Sequence, residues 1–233
     1  MAHLTGNCGD LPMKYGCSVT LVGGGALDRA MLDAARALAP GLIAADGAAN
    51  RLLDWGLIPE VVIGDMDSVR DRAEFPPETR FVELAEQETT DFEKCLYATQ
   101  APLYLAAGFT GRRLDHTLAV FHAMLRNPDK TVILIGENEV SALVPANRLI
   151  RLNIAPGARV SFAPLLPTTG CASEGLRWPI DGLAMEMGSQ IGTSNAAMAD
   201  QVAFAFDRPG ARMMFEHGAL TDLIGALTGP DAA

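Results

Sequence analysis

Asp65 and Asp67 stand one residue apart in Gly64-Asp65-Met66-Asp67-Ser68, directly after the apolar run Val61–Ile63. Two carboxylates on a short turn suit a hard cation such as Mg²⁺, which takes one or two carboxylates together with water and phosphate oxygens. The same residues also suit an Asx-type turn. Asp46, after the run Leu42–Ala45, and Asp91, after Phe81–Leu84, offer further carboxylates at corresponding places. Thr90-Asp91-Phe92-Glu93 is a capping box, with Asp91 in the first helical turn, where the helix dipole favours a negative charge. The structural and metal-binding readings are compatible, because a capped helix start is a rigid mount for a ligand. Gly23-Gly24-Gly25 would let backbone amides approach a phosphate at a helix N-terminus. It is neither a Walker A motif nor G-x-G-x-x-G, and a tight turn explains it as well. Arg112 and Arg113, in a Gly-containing segment, have the guanidinium chemistry to clamp phosphate oxygens.

These residues are spread from position 23 to position 113 of a 233-residue chain, so their value depends on the elements that carry them. Apolar runs at Ser18–Val22, Leu42–Ala45, Val61–Ile63, Phe81–Leu84, Leu103–Ala107 and Thr131–Ile135 read as strands buried on both faces of a parallel sheet. Helical patterns follow Asp28, Thr90 and Asp115. This alternation predicts an α/β doubly wound domain with a mostly parallel sheet. Each strand runs into a Gly- or Asp-rich turn, and in such a sheet these turns emerge together at the carboxyl edge, where ligands bind. Near Pro145-Ala146-Asn147 the character changes. Short alternating runs at Leu149–Ile154, Arg159–Ala163, Leu183–Met187, Gln201–Phe206 and Ala211–Phe215 predict a small all-β sandwich, with no convincing helix until the last residues. The expected domains are therefore residues 1–145 and 146–233.

Composition narrows the function classes. Apolar residues make up 49% and the net charge is -10, so the chain folds and lacks the basic face of a nucleic-acid binder. No stretch reads as a signal peptide or a membrane span. Cys8, Cys17, Cys95 and Cys171 are scattered, without the spacing of a disulfide framework or a zinc site. A cytoplasmic location is the expectation.

Three spaced blocks resemble the thiamine pyrophosphokinase family: Ala45-Asp46-Gly47-Ala48-Ala49-Asn50 with Pro59 and Gly64–Ser68; Gln87–Leu96; and Gly108-x-x-Gly111-Arg112-Arg113-Leu114-Asp115-His116. Gly175–Pro179 and Thr193-Ser194-Asn195 fit in the β-rich half, so the resemblance runs from about Val19 to Phe215. There are departures. Ala48 replaces a common Gly, Glu86 a common Asp, and Arg112 a common Gly. The resemblance implies a catalytic α/β domain that binds ATP and Mg²⁺, a β-sandwich domain for thiamine binding and dimerisation, and transfer of pyrophosphate from ATP to the thiamine hydroxyl with release of AMP. It assigns the metal to Asp65, Asp67, Asp91 and Asp46, catalysis to Asp91, Asp115 and Arg113, and nucleotide contacts to Gly24, Gly25, Asp46, Gln87, Arg112 and Arg113. Thiamine falls to Trp178, Ser194 and Asn195. Composition alone allows Trp178 to be sandwich core and Ser194-Asn195 a surface turn. A homodimer is also expected, with the apolar strands Val202–Phe206 and Ala211–Phe215 buried between subunits.

Other readings of the same residues remain open: a pyrophosphokinase acting on a pterin-like alcohol, a phosphohydrolase with Asp65 as nucleophile, and a non-catalytic nucleotide or thiamine binder.

Overall fold

In a computed structural model of the chain, residues 4–5 and 11–229 are described. Cys8 lies outside them, and Cys17, Cys95 and Cys171 are free thiols. Contacts divide the chain into two compact units, one of residues 1–123 with 134–137, the other of residues 124–133 with 138–233.

The first unit begins with β1 (Leu4–Thr5), β2 (Met13–Tyr15) and β3 (Val19–Val22). There follow α1 (Arg29–Leu38), β4 (Gly41–Ala45), α2 (Ala48–Asp54), β5 (Val61–Gly64), β6 (Arg80–Glu83), α3 (Asp91–Ala98), β7 (Thr99–Gln100), β8 (Tyr104–Ala107) and α4 (Leu114–Arg126). The residues of β9 (Val132–Ile135) are divided between the units. Strands β3, β4, β5 and β8 are buried along their whole length, as expected where helices cover both faces of a sheet. They pair in parallel in the order β8-β3-β4-β5-β6. Leu32, Ala48, Ala49 and Leu52 of α1 and α2 pack with Val22, Leu42, Ala44 and Val62 of the sheet.

Helix starts follow the local chemistry. The Asp28 carboxylate accepts from the Met31 amide at 2.8 Å, and Thr90 Oγ accepts from the Glu93 amide at 3.4 Å. Such caps contribute about 1 kcal/mol each. Helix α4 begins at Leu114, which places Asp115 inside its first turn rather than before it. Helix α2 was not anticipated: Asp46-Gly47 reads as a turn, and the seven residues that follow are too few for a clear period.

The second unit contains β10 (Val140–Leu143), β11 (Ile150–Asn153), β12 (Arg159–Pro164), β13 (Thr168–Glu174), β14 (Ala184–Met185), β15 (Gly192–Ala196), β16 (Gln201–Phe206), β17 (Ala211–Phe215) and α5 (Leu220–Thr228). Antiparallel β10-β17-β12-β15 forms one layer and antiparallel β11-β16-β13-β14 the other. Phe162 of the first layer packs on Phe204 and Phe206 of the second, with ring centroids 4.8 and 5.3 Å apart. This is the sandwich expected from the alternating runs. The expectation that β16 and β17 are covered by a second subunit needs correction. Val202, Phe204, Phe206, Met213 and Phe215 are all fully buried within the chain, because β17 lies between β10 and β12 and β16 between β11 and β13.

Candidate active site

The strand order fixes where a ligand can sit. The chain runs outward from β3 to β6 and then returns to place β8 on the other side of β3. A crevice opens at the carboxyl ends where the direction of winding reverses. Val22 pairs with Ala107, so Gly23 and Gly108 leave the sheet side by side. A cavity of about 500 Å³ lies there, lined among others by Gly23, Gly24, Gly25, Asp65, Gln87, Asp91, Lys94, Phe109, Arg112, Arg113 and His116.

The glycines are needed because two loops interlock. A Cβ at Gly23 would lie 2.5 Å from the Gly108 carbonyl oxygen, and one at Gly25 would lie 2.6 Å from the oxygens of Gly108 and Thr110. The Gly23 amide donates to Ala107 and the Gly25 amide to Gly108. Both amides are therefore already engaged within the protein. Arg51 braces the turn from the other side, donating to the carbonyls of Gly24 and Gly25 at 2.9 and 3.0 Å. Gly24 has open space where a side chain would stand.

The carboxylates converge from three strand ends. Asp46, Asp65 and Asp67 each offer an oxygen, all within 4.8 Å of one another. Asp46 is buried and left-handed (φ 43°), and the half-buried Met66 is left-handed too (φ 66°). Such geometry costs a non-glycine residue about 1 kcal/mol or more. A Cβ at Gly64 would come within 2.7 Å of the Asp46 Cβ, so only glycine allows this approach. Asn50 of α2 ties the loop down, donating to Ser68 O at 2.8 Å and accepting from the Arg70 amide at 2.9 Å. Asp65 receives Gln87 Nε2 at 2.8 Å, and Asp67 receives Ser68 Oγ at 2.8 Å. The Gln87 hydrogen bond, followed by that from the Asp67 amide, holds the Asp65 carboxyl below its usual range. Asp91 behaves oppositely. Burial, then the negative charges of Asp46, Asp65 and Asp67, push its pKa up to about 6, against the opposing pull of Lys94. Among the described residues, Asp46 Oδ1 is buried without a hydrogen-bond partner. A crowded acidic cluster with an unsatisfied buried oxygen fits a divalent cation.

Other assigned residues behave differently. Arg113 forms an exposed two-point ion pair with Asp115, at 3.1 and 2.5 Å, so Asp115 orients the guanidinium from outside the cavity lining. Arg112 lines the cavity with no hydrogen bond or ion pair among the described residues. Gln87, assigned to the nucleotide, directs its amide nitrogen to Asp65.

In the second unit Trp178 is 53% exposed and therefore not sandwich core. Arg177 stacks over it at 4.8 Å. Asn195 is buried, accepts from the Trp178 amide at 3.1 Å and donates to its carbonyl at 2.7 Å. Its side chain thus shapes the tryptophan loop. Ser194 is exposed, left-handed (φ 63°) and held through its amide by Ser161 Oγ. It belongs to strand β15 rather than a turn.

Sequence reasoning missed Arg51, Lys94, Phe92 and Phe109 at this site. The last two pack as a tilted pair with ring centroids 4.7 Å apart, and both line the cavity. Lys94 stood inside a quoted block without a role, and a lysine next to a cap normally reads as surface.

The comparisons with known proteins agree with this geometry. The family described as "Thiamin pyrophosphokinase, catalytic domain" matches residues 35–135, which carry all four carboxylates and both arginines. The "vitamin B1 binding domain" of the same family matches residues 148–210. The chain belongs to the thiamine pyrophosphokinase family. Thiamine pyrophosphokinase 1 of Arabidopsis thaliana is 28% identical over 197 residues, covering 71% of this chain and 74% of that protein. Thiamin pyrophosphokinase 1 of Caenorhabditis elegans is 26% identical over 180 residues, 69% of this chain and 72% of that one. Among solved structures, the fold is shared with thiamin pyrophosphokinases of Candida albicans (TM-score 0.72, 15% identity, covering 86% of this chain and 89% of that one) and Geobacillus thermodenitrificans (TM-score 0.70, 21% identity, 85% and 96%).

Proposed function

We propose that this chain is a thiamine pyrophosphokinase: an ATP-dependent diphosphotransferase that converts thiamine and ATP to thiamine diphosphate and AMP. The observation that carries the reading is the convergence of Asp46, Asp65, Asp67 and Asp91 at the cavity between the ends of β3 and β8, inside the segment that matches the family's catalytic domain. The thiamine hydroxyl oxygen bonds to the β-phosphorus of ATP, the bond from that phosphorus to the bridging oxygen of the α-phosphate breaks, and AMP leaves with those electrons. The hydroxyl proton is released.

Asp46, Asp65, Asp67 and Asp91 would hold the divalent cation, with Mg²⁺ as the ion that suits their oxygen donors. When bound, the cation neutralises charge on the carboxylates and on phosphate oxygens. Arg113, fixed by Asp115, and Arg112 face the cavity as phosphate partners. Gly24 leaves room for close approach. We assign residues 1–145 to ATP and metal. Residues 146–233 are assigned to thiamine, through Trp178 and Ser194 with Asn195 as support, and to homodimer formation. Exposed Met187, Ile191 and Met198 in that half supply apolar surface in keeping with a dimer. The family's need for ATP and the lack, among the described residues, of a helix able to cross a membrane are in keeping with a cytoplasmic enzyme.

The test is direct. Incubation with Mg²⁺, ATP and thiamine is expected to yield AMP and thiamine diphosphate in equal amounts. Release of inorganic phosphate without AMP would instead support the phosphohydrolase reading.

A further inference from the structure

Lys94 has no task in the reaction as described above, yet it is the most deeply buried of the described charged residues of the first unit. Its side chain is 2% exposed, and lysine is almost never buried so completely without a partner. It lines the cavity, with Nζ 3.7 Å from Asp91 Oδ1 and 3.9 Å from Asp65 Oδ2. Both separations are within ion-pair range and beyond a direct hydrogen bond. The ammonium is thus held between two carboxylates without being committed to either. Local sequence explains the placement. Thr90 caps α3, Lys94 stands one helical turn later, and its amide donates to the Thr90 carbonyl at 2.8 Å. Its side chain therefore lies on the same helix face as the cap and points back toward the acidic loop.

A fixed positive charge there acts on two ligands with opposite signs. It offsets the mutual repulsion of the carboxylates and so competes with any cation they bind. It also adds attraction for an anion that enters the same cavity. We propose that Lys94 is a positioning residue that sets the charge of the acidic wall, keeping the free enzyme's affinity for a divalent cation low and its affinity for the phosphate chain of the donor high. The consequence is ordered loading: the cation is retained together with the phosphate chain rather than alone. This rests on the reading of the cavity as a site for ATP and a divalent cation.

The experiment compares the full chain with Lys94→Met by titration calorimetry, using Mn²⁺ alone and then inorganic pyrophosphate alone. Charges some 4 Å apart at the effective dielectric of a protein interact strongly enough to change affinity by about tenfold or more. Mn²⁺ is expected to bind at least ~10-fold more tightly to the variant, and pyrophosphate at least ~10-fold more weakly. A lysine that only supports the fold would weaken both when removed, and that result overturns the proposal, as does a variant in which neither affinity moves. Lys94→Gln keeps a polar end and serves for the same pair of titrations if the methionine variant does not fold. Failure of the underlying functional reading is seen separately, as wild-type enzyme that forms no AMP from ATP and thiamine.

Discussion

Asp91→Asn is expected to make the cation-free protein more stable while destroying its activity. The Asp91 pKa rises from 3.8 to about 6 through burial and the charges of Asp46, Asp65 and Asp67. Two units correspond to about 3 kcal/mol at face value. The side chain is 39% exposed, so solvent screening reduces this to about 1.5 kcal/mol. Loss of a carboxylate from the first turn of α3 returns about 0.5 kcal/mol, leaving a net gain of about 1 kcal/mol. In a chain of this size that is ~2–4 °C in melting temperature. The folded pKa lies above the unfolded one, so protonation favours the folded state. The favourable contribution is complete below about pH 4 and lost as pH rises through about 6. The gap between variant and wild type should therefore be full near pH 8 and about half as large near pH 5. Scanning calorimetry in excess EDTA across this range measures it, with thiamine diphosphate formation as the parallel assay. With excess Mg²⁺ the order should reverse, because wild type gains a ligand that the variant lacks. A variant that melts below wild type in EDTA near pH 8, or a gap independent of pH, would refute the account of Asp91 as a carboxylate crowded by its neighbours.

Chelation by EDTA is expected to abolish turnover and Mg²⁺ to restore it, and Asp65→Asn should lower kcat by at least ~100-fold with an unchanged circular dichroism spectrum; full activity in EDTA would remove the metal from the reaction. Gly23→Ala puts a methyl 2.5 Å from the Gly108 oxygen and 2.7 Å from the Phe109 ring, which should cost about 1–3 kcal/mol by denaturant titration and raise the KM for ATP; a variant as stable as wild type would show that the two loops have room to spare. Trp178→Ala should raise the KM for thiamine far more than that for ATP and change stability by less than about 0.5 kcal/mol, because the ring is exposed. Asn195→Ala should produce the same KM pattern with an added stability loss of about 1–3 kcal/mol, since it strands the polar backbone groups of Trp178.

Five of the six strand assignments of the α/β half were legible because β3, β4, β5, β8 and β9 are buried on both faces and must be continuously apolar; the sixth, β6, is a half-buried edge strand. The starts of α1 and α3 were legible because caps are local: Asp28 and Thr90 act on amides three residues away. The strands that escaped notice lack that continuous apolar run: β1, β2 and β7 are only two or three residues long, Ser141 interrupts the otherwise buried β10, and β13 and β15 are rich in small polar residues. β15 reads Gly-Thr-Ser-Asn-Ala and exists because β12 pairs with it, not because its residues favour a strand. Trp178 and Asn195 show the same limit. The family resemblance assigned both to thiamine while their types allowed core and turn, and long-range pairing left the tryptophan outside and turned the asparagine inward to hold it.

The sequence by itself determined which residues stand at strand ends, and therefore which carboxylates and arginines share one edge of a parallel sheet. Chain direction alone guarantees that much. What each group does at that edge was decided by neighbours distant in sequence. Gly64 admits Asp46 beside Asp65, Arg51 engages the Gly24 and Gly25 carbonyls while Gly108 takes the Gly25 amide, and Gln87 is drawn to Asp65 across 22 residues. Lys94 and Asp91 are one turn apart on a helix, a spacing that on a surface gives a weak ion pair. Packing of α3 against β4 and β5 buries the lysine and crowds the aspartate with carboxylates from two other strand ends. Burial and proximity in space set the energy of a charge, and neither is written in the order of residues along the chain.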